Sequence, residues 1–169
     1  MYIRQELPAD YPRVYQVIKA AFANAEHRDG SEQDLAAALR KSQSFIPKLS
    51  LVAMEDGKIV GHILFTKALV NQTEVLALAP LSVLPEYQNR GIGLALIRRG
   101  HAAAAELGYG YSIVLGDSKY YSKAGYVPAS RYGIKAPFDV EDENFMAVCF
   151  HSRAGRLNGC IAYDPAFGI

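Results

Sequence analysis

The sequence predicts one α/β domain over residues 1–169, built on a mixed sheet with helices packed against it. A chain of 169 residues with 50% hydrophobic content can bury one substantial core. The Asp56-Gly57 pair between two apolar runs is a strong hairpin signal. A third apolar run, residues 75–83, leads through a glycine-containing turn into a helical pattern that ends near residue 107. Strands followed by such a strand–turn–helix unit are typical of a sheet covered by helices.

Charge and cysteine usage exclude several classes of function. The chain carries 18 basic and 17 acidic residues, so it has no basic excess for binding nucleic acid. No apolar run approaches the roughly 20 residues of a membrane span, and the first residues lack the apolar core of a signal peptide. The two cysteines and four scattered histidines form no disulfide framework and no metal-binding spacing. We therefore expect a cytoplasmic protein with no metal, nucleic-acid or membrane partner.

The first segment predicts a strand followed by two helices. Residues 2–7 suit a short strand, and Asp10 is a candidate N-cap for the first helix. The apolar residues of this helix recur at helical spacing, which predicts one buried face: Val14, Val17, Ile18, Ala21 and Phe22. A polar segment, residues 24–31, then precedes a second helix over residues 32–41.

The hairpin joins a strand over residues 49–54 to a longer strand over residues 59–70. Gly61 inside the second strand indicates a bulge or close packing. His62 could face a cleft, but an isolated histidine on a strand is more often structural. Pro80 in the third apolar run has no N–H to donate, so it predicts a break in the pairing of that strand.

The turn after the third strand has the chemistry of a phosphate or pyrophosphate site. A helix start leaves about four backbone N–H groups without partners and carries partial positive charge. Gly91 and Gly93 have no side chain, so an anion can approach the backbone closely. Arg90 adds a full positive charge beside them.

Two common phosphate-binding motifs fit this turn poorly. A P-loop needs a lysine and a Ser or Thr after its last glycine, whereas Leu94 and Ala95 follow Gly93. A Rossmann turn needs glycine or alanine at its third position and a carboxylate about twenty residues later. Leu96 occupies that position, and residues 109–115 offer no carboxylate.

Beyond the turn, shorter elements are predicted. Gly108 is expected to end the helix, and residues 111–115 form the next strand. Asp117 or Ser118 then caps a short helix that Gly125 ends. Further strands are predicted at residues 145–150 and from residue 159 onward, and this strand-rich tail could pair across a homodimer.

The residues Gln88-Asn89-Arg90-Gly91-Ile92-Gly93 resemble the Gln/Arg-x-x-Gly-x-Gly/Ala motif of the GNAT N-acetyltransferases. In that family the loop binds the pyrophosphate of acetyl-CoA, and the backbone of the preceding strand pairs with the pantetheine arm. The resemblance covers nearly the whole chain and implies a mixed central sheet that splays, with helices on both faces. The cofactor-binding residues that it implies are Leu81, Ser82, Val83, Gln88, Asn89, Arg90, Gly91, Ile92, Gly93, Leu94 and Ala95.

A second family signature lies in the short helix. Tyr121 precedes the Gly125-Tyr126 pair by four residues, the position of the tyrosine that protonates the departing CoA thiolate in many GNAT enzymes. A phenol with a pKa of about 10 can donate to a thiolate whose conjugate acid has a pKa of about 8.5. Tyr120 is expected to pack instead. A backbone N–H around Ser82 or Val83 could stabilise the oxyanion.

The run that begins Gly116-Asp117 and the Pro-Ala-Phe terminus resemble a bacterial GNAT subgroup of largely uncharacterised enzymes. The family implies an N-acetyltransferase that moves acetyl from acetyl-CoA, its cosubstrate, directly to a primary amine of a small molecule or protein. Its variable segment lies over the acceptor cleft, so Glu26 and His27 are candidates for substrate contact. Many members carry asparagine where this chain has Asp117, which we expect to cap the helix. Two alternatives stay open: a CoA-binding sensor or scaffold without turnover, and a nucleotide-binding protein of another class.

Overall fold

The computed structural model describes residues 1–24, 30–151 and 155–169, and it confirms the predicted α/β class. The helices are α1 (Tyr11–Phe22), α2 (Glu32–Arg40), α3 (Ile92–Glu106) and the short α4 (Ser118–Tyr121). The strands are β1 (Tyr2–Gln5), β2 (Phe45–Glu55), β3 (Lys58–Val70), β4 (Thr73–Val83), β5 (Tyr111–Leu115), β6 (Val127–Pro128), β7 (Ile134–Lys135), β8 (Phe145–Cys149) and β9 (Gly159–Ala162). None of the helices in these residues is long and apolar enough to cross a membrane.

The sheet is mixed, as predicted, with strand order β1-β2-β3-β4-β5-β8-β6. Strands β1 to β4 pair antiparallel in chain order. Tight turns join β2 to β3 and β3 to β4, whereas α1 and α2 lie between β1 and β2. Strand β5 returns after α3 and pairs parallel to β4. Strand β9 pairs with β3 and β7 of the same chain, so this part of the tail is used inside the fold. Pairing across a homodimer stays a prediction.

The centre of the sheet splays between β4 and β5. Within the described residues, β4 pairs with β5 only through Leu76 and Ala77, while β4 stays paired to β3 up to Val83. The register with β3 shifts at Ala79 and Pro80, which confirms the predicted break at this proline. Beyond Ala77, β4 therefore has no strand of the described chain on its β5 side, and a gap opens there.

The two faces of the sheet carry different helices. Gly61 and Phe65 on β3 face α3: a methyl group at Gly61 would lie 3.1 Å from the Leu96 side chain, and one at Gly100 would overlap Phe65. This close approach, together with a register shift beside Gly61, confirms the predicted bulge or close packing. The His62 side chain points to the other face of the sheet, because successive side chains of a strand alternate. There it contacts the Ser50 hydroxyl, and Arg40 of α2 pairs with Glu6 nearby.

Some local predictions needed correction. Strand β2 begins at Phe45, four residues earlier than predicted, because it also pairs with Thr66 of β3 beyond a register shift. Asp10 occupies the predicted N-cap position of α1, but its side chain makes no capping hydrogen bond to this helix; it accepts a hydrogen bond from Leu7 N at 2.7 Å and pairs with Arg4 at 2.7 Å. The predicted helix ends at Gly108 and Gly125 are confirmed, since both glycines have φ near +90°.

Candidate functional site

A cleft of about 520 Å³ lies where β4 diverges from β5. The end of β4, the following turn, the start of α3 and the region of α4 bound it. Its lining residues are Leu81, Val83, Tyr87, Gln88, Asn89, Gly91, Ile92, Gly93, Leu94, Tyr120, Tyr121 and Lys123. The splay and the predicted phosphate turn thus belong to one concave surface.

The turn at the start of α3 presents main chain to this cleft. Gly91 is the N-cap and has a φ of 83°, a left-handed conformation that glycine adopts without steric cost. The first hydrogen bond of the helix runs from Ala95 N to Gly91 O at 3.0 Å. The N–H groups of residues 91–94 are therefore not used inside the helix and add to the positive end of its dipole. This arrangement suits an anion.

Two side chains hold the turn in place. Gln88 Nε2 donates to Val83 O at 3.0 Å and so ties the turn to the end of β4. Arg90 donates to Glu86 O at 3.0 Å, and its guanidinium lies 5.1 Å from the centre of the Tyr87 ring. Arg90 therefore packs against its own turn, although its charge remains close to the cleft.

Gly93 lines the cleft and allows the Tyr120 hydroxyl to lie close against the start of α3. A methyl group built there would overlap the Tyr120 hydroxyl and lie 3.8 Å from Leu81. The place of a Cβ at Gly93 is therefore taken by the Tyr120 hydroxyl, which lines the cleft together with Leu81. Because Gly93 lacks a Cβ, an oxygen atom can approach the main chain at the helix start closely, as the Tyr120 hydroxyl does.

Tyr121 is held rigidly on the opposite wall. Its ring packs edge-on against Tyr120, with centroids 5.1 Å apart, and against Tyr126 at 5.7 Å. Gly116 lies so close that a methyl group there would meet the Tyr121 ring. Burial raises the pKa of the Tyr121 phenol, with smaller contributions from Tyr120 and Asp117. The phenol therefore stays protonated at neutral pH and can act as a proton donor.

Most of the predicted cofactor-binding residues line the cleft, and three do not. Arg90 and Ala95 lie outside the lining, and Ser82 is buried, at 2% exposure. The candidates for substrate contact, Glu26 and His27, lie outside the described residues. The predicted cap is confirmed, because Asp117 accepts a hydrogen bond from Lys119 N at 3.0 Å.

Sequence reasoning missed three residues of the cleft. Tyr87 and Lys123 were not singled out, and Tyr120 was expected only to pack. Lys123 is exposed and brings a positive charge to the rim. A basic residue two positions after the candidate acid was a usable signal, but only the fold of α4 against the start of α3 brings it to the turn.

Comparison with known proteins identifies the family of these motifs. The sequence model of the Acetyltransferase (GNAT) family matches residues 11–126. YjhQ of Escherichia coli strain K12, named an uncharacterised N-acetyltransferase, is 42% identical over 118 residues. That match covers 67% of this chain and 65% of YjhQ, slightly less than two thirds of the relative. YhbS of the same strain, also named an uncharacterised N-acetyltransferase, is 29% identical over 99% of this chain and 98% of its own.

Solved structures share the fold over nearly the whole chain. The crystal structure of YhbS from Escherichia coli in complex with CoA has a TM-score of 0.87 and 24% identity, covering 99% of this chain and 92% of that one. A GNAT family acetyltransferase from Brucella melitensis, in complex with acetyl-CoA, has a TM-score of 0.80 and 33% identity. It covers 98% of this chain and 97% of its own.

Proposed function

The chain belongs to the acetyltransferase (GNAT) family, and on this premise we propose that it is an acetyl-CoA-dependent N-acetyltransferase. It transfers the acetyl group directly to a primary amine of a small molecule or a protein. The complexes of YhbS with CoA and of the Brucella melitensis protein with acetyl-CoA support acetyl-CoA as the cosubstrate.

The observation that carries the proposal is the cleft at the splay, which has the bare turn and Tyr121 on its walls. The N–H groups of residues 91–94 offer donors for the pyrophosphate, and Gly93 lets an oxygen atom approach the main chain closely. The end of β4, from Leu81 to Val83, is paired to β3 on one side only, so the main-chain groups on its β5 side are offered to the pantetheine arm. Lys123 on the cleft lining and Arg90 within the turn add positive charge near these N–H groups.

The residues on the cleft walls can support acyl transfer to an amine. A backbone N–H near Ser82 or Val83 stabilises the negative charge that develops on the thioester oxygen. Tyr121 donates its proton to the departing sulfur. Burial raises the pKa of the phenol, so its proton is present at neutral pH and available to the departing thiolate as the C–S bond breaks. The cleft lining includes neither cysteine, in keeping with direct transfer.

The amine acceptor is recognised on the remaining side of the splay. We propose that the segment with Glu26 and His27 contacts it, as in the family pattern, and that the protein works in the cytoplasm. A homodimer is compatible with this assignment.

The proposal is tested by incubating the protein with acetyl-CoA and a panel of primary amines. The panel includes polyamines, aminoglycosides, amino acids and a lysine-containing peptide, and the readout is CoA thiol release together with the mass of the product. We expect amine-dependent release that falls strongly in Tyr121→Phe. CoA should raise the melting temperature far more than ATP or NAD, because a ligand that binds only the native state stabilises it.

Two outcomes would point elsewhere. CoA binding without acetylation of any amine would favour a sensor or scaffold. An equal thermal shift with NAD or ATP would favour a nucleotide-binding protein of another class.

A further inference from the structure

The short helix α4 and the turn that follows it form the wall of the cleft opposite the start of α3. Tyr120 and Tyr121 belong to α4, and Lys123 belongs to the turn Ser122–Ala124. This turn packs against α3, and all three residues line the cleft. Tyr121 is the proposed acid, so a different role is open to Tyr120 and Lys123.

The Tyr120 hydroxyl lies against the main chain in the first turn of α3. It takes the place that a Cβ of Gly93 would occupy, so the contact depends on glycine at this position. In a helix the Cα–Cβ bond tilts toward the N-terminus, and the free N–H groups point in the same direction. The hydroxyl therefore lies beside the free N–H groups of residues 91–94, at the edge of the candidate anion site.

The hydrogen of the Tyr120 hydroxyl is available to a ligand. Within the part of the chain that the structure describes, this hydroxyl makes no hydrogen bond. The free main-chain groups beside it are N–H donors, which can donate to the hydroxyl oxygen but cannot accept its hydrogen. Burial raises the pKa of the Tyr120 phenol, so the hydrogen is present at neutral pH. An acceptor atom in the cleft can therefore receive it.

Lys123 adds a second donor to the same wall. It follows Tyr120 by three residues, so the two side chains leave the same side of this helical stretch. Lys123 is exposed, and its ammonium forms no ion pair with a carboxylate of the described residues. An ammonium donates hydrogen bonds and accepts none. Since the described lining of the cleft contains no Asp or Glu, these donors match a ligand that brings acceptor oxygens and negative charge.

We propose that Tyr120 and Lys123 bind the pyrophosphate of the acyl donor from the α4 side, so that the cleft selects donors that carry this group. The inference rests on the function proposed above. The free N–H groups of α3 hold one side of the pyrophosphate, the Tyr120 hydroxyl donates to one of its oxygens, and Lys123 offsets part of its charge. Hydrogen bonds to ionised phosphate oxygens are stronger than those between neutral groups.

The test combines two variants with ligands that carry different phosphate groups. Tyr120→Phe removes the hydroxyl and keeps the ring that packs against Tyr121. Lys123→Met removes the charge from an exposed position. Lys119→Met is the matched control, because this exposed lysine belongs to α4 but does not line the cleft. The ligands are CoA, 3′-dephospho-CoA, which keeps the pyrophosphate, and pantetheine, which has no phosphate.

We expect the dissociation constants of CoA and 3′-dephospho-CoA to rise roughly tenfold in Tyr120→Phe, the scale of a hydrogen bond to a charged group. In Lys123→Met they should rise roughly threefold, because the charge is exposed to solvent. Calorimetry measures both values. Affinity for pantetheine, measured by displacement of CoA, should stay at the wild-type value in both variants, and Lys119→Met should bind all three ligands like the wild type.

Two further measurements separate a phosphate contact from a structural role. The CoA affinity of Lys123→Met should depend less on salt than that of the wild type, since salt screens exposed charge pairs. With an accepted amine, the KM for acetyl-CoA should rise in both variants while kcat at saturation changes little, because Tyr121 is retained.

Losses as large for pantetheine as for CoA would overturn the inference, since they would show that the variants disturb the whole cleft. Losses that disappear with 3′-dephospho-CoA would overturn the pyrophosphate assignment in favour of the 3′-phosphate. Unchanged CoA affinity in both variants would overturn the inference and leave the acetyltransferase assignment standing. A wild-type protein that shows the expected affinities but acetylates no amine would support the phosphate contacts and overturn the assignment as an enzyme.

Discussion

The two faces of the sheet at the splay of β4 are built in different ways. On the α3 face the candidate anion site consists mainly of main chain, from residues that are consecutive in sequence, and it is open to ligand. On the opposite face the polar groups are side chains from β2, β3, α2 and the end of β1. They are buried, and Glu6 and Arg40 are 34 positions apart in the chain.

Because of this difference, we expect residues on one face to determine ligand binding and residues on the other to determine the stability of the fold. An exposed main-chain site contributes little to folding, so changes there should weaken ligand binding more than stability. A buried ion pair has been taken out of water, and removal of one partner leaves a charge that nothing compensates. The following substitutions should therefore affect stability on one face and binding or rate on the other.

The largest effect is expected from Arg40→Ala. It leaves the Glu6 carboxylate buried without its guanidinium, and breaking a buried pair in this way costs about 3–5 kcal/mol of unfolding free energy. Arg4→Ala is the matched control, because the Arg4–Asp10 pair is partly exposed and should cost about 1 kcal/mol or less. Urea unfolding of the variants measures both values. Similar losses in the two variants would contradict the contrast between buried and exposed pairs.

The second prediction concerns acid. Burial lowers the pKa of His62 to about 4 in the folded protein, whereas an unfolded histidine titrates near 6.5. Between these values the unfolded chain binds more protons, so the free energy of unfolding should fall as the pH drops from about 6.5 to 4. His62 contributes about 3 kcal/mol to the free energy of unfolding. This contribution is fully present above about pH 6.5 and is lost as the pH falls to about 4.

Chemical unfolding at a series of pH values measures this slope. His62→Gln should make the slope shallower, because one of the two histidines whose pKa burial lowers no longer titrates. The remaining slope comes in part from His101 of α3, whose pKa burial also lowers to about 4. An unchanged slope in His62→Gln would show that His62 does not titrate in this way.

The third prediction concerns the two tyrosines of α4. Tyr121→Phe removes the candidate acid and keeps its ring contacts, so the chemical step should slow by roughly a hundredfold while acetyl-CoA affinity changes little. The loss should appear in kcat when chemistry limits turnover. Tyr120→Phe should slow the step far less. Pre-steady-state rates distinguish the two, and a full chemical rate in Tyr121→Phe would remove this residue from the mechanism.

The smallest effect is expected on the turn, where folding and binding can be separated. Gly93→Ala alone would meet the Tyr120 hydroxyl, but in the double variant with Tyr120→Phe the nearest remaining ring atom lies 3.4 Å away, an ordinary contact. Because alanine favours the helix by up to about 1 kcal/mol, the double variant should be at least as stable as the wild type. Its CoA affinity should fall roughly tenfold, or about 1.4 kcal/mol, because the methyl group shields the free N–H groups at the start of α3 from the phosphate.

Calorimetry with CoA, using Tyr120→Phe alone as the control, measures this loss. Wild-type affinity in the double variant would contradict the phosphate assignment. Gly91 is a poorer test site: its Cβ would meet nothing within 4 Å, but its φ of 83° would strain any other residue by about 1–2 kcal/mol. A change there would mix a cost in folding with a cost in binding.

Local signals predicted much of the fold and one side of the site. The Asp56-Gly57 hairpin, the helix that ends before Gly108 and the cap at Asp117 depend on contacts within a few residues, and all three are found as expected. Lys123 was missed because its position at the cleft depends on how α4 packs against α3. His62 was expected to be structural, and it is buried, but its contacts with Ser50 and Glu6 come from other segments of the chain and no local signal predicts them.

The sequence by itself determined the strand–turn–helix unit, because apolar periodicity, glycine conformation and a helix start act over short stretches of chain. It also determined that the pairing of β4 is interrupted, since Pro80 has no N–H in any fold. Only the tertiary structure decided that Ser82 lies opposite His62 and that both are buried. Register between strands and packing between layers depend on the whole sheet, and a shift of one residue would have turned Ser82 to the other face.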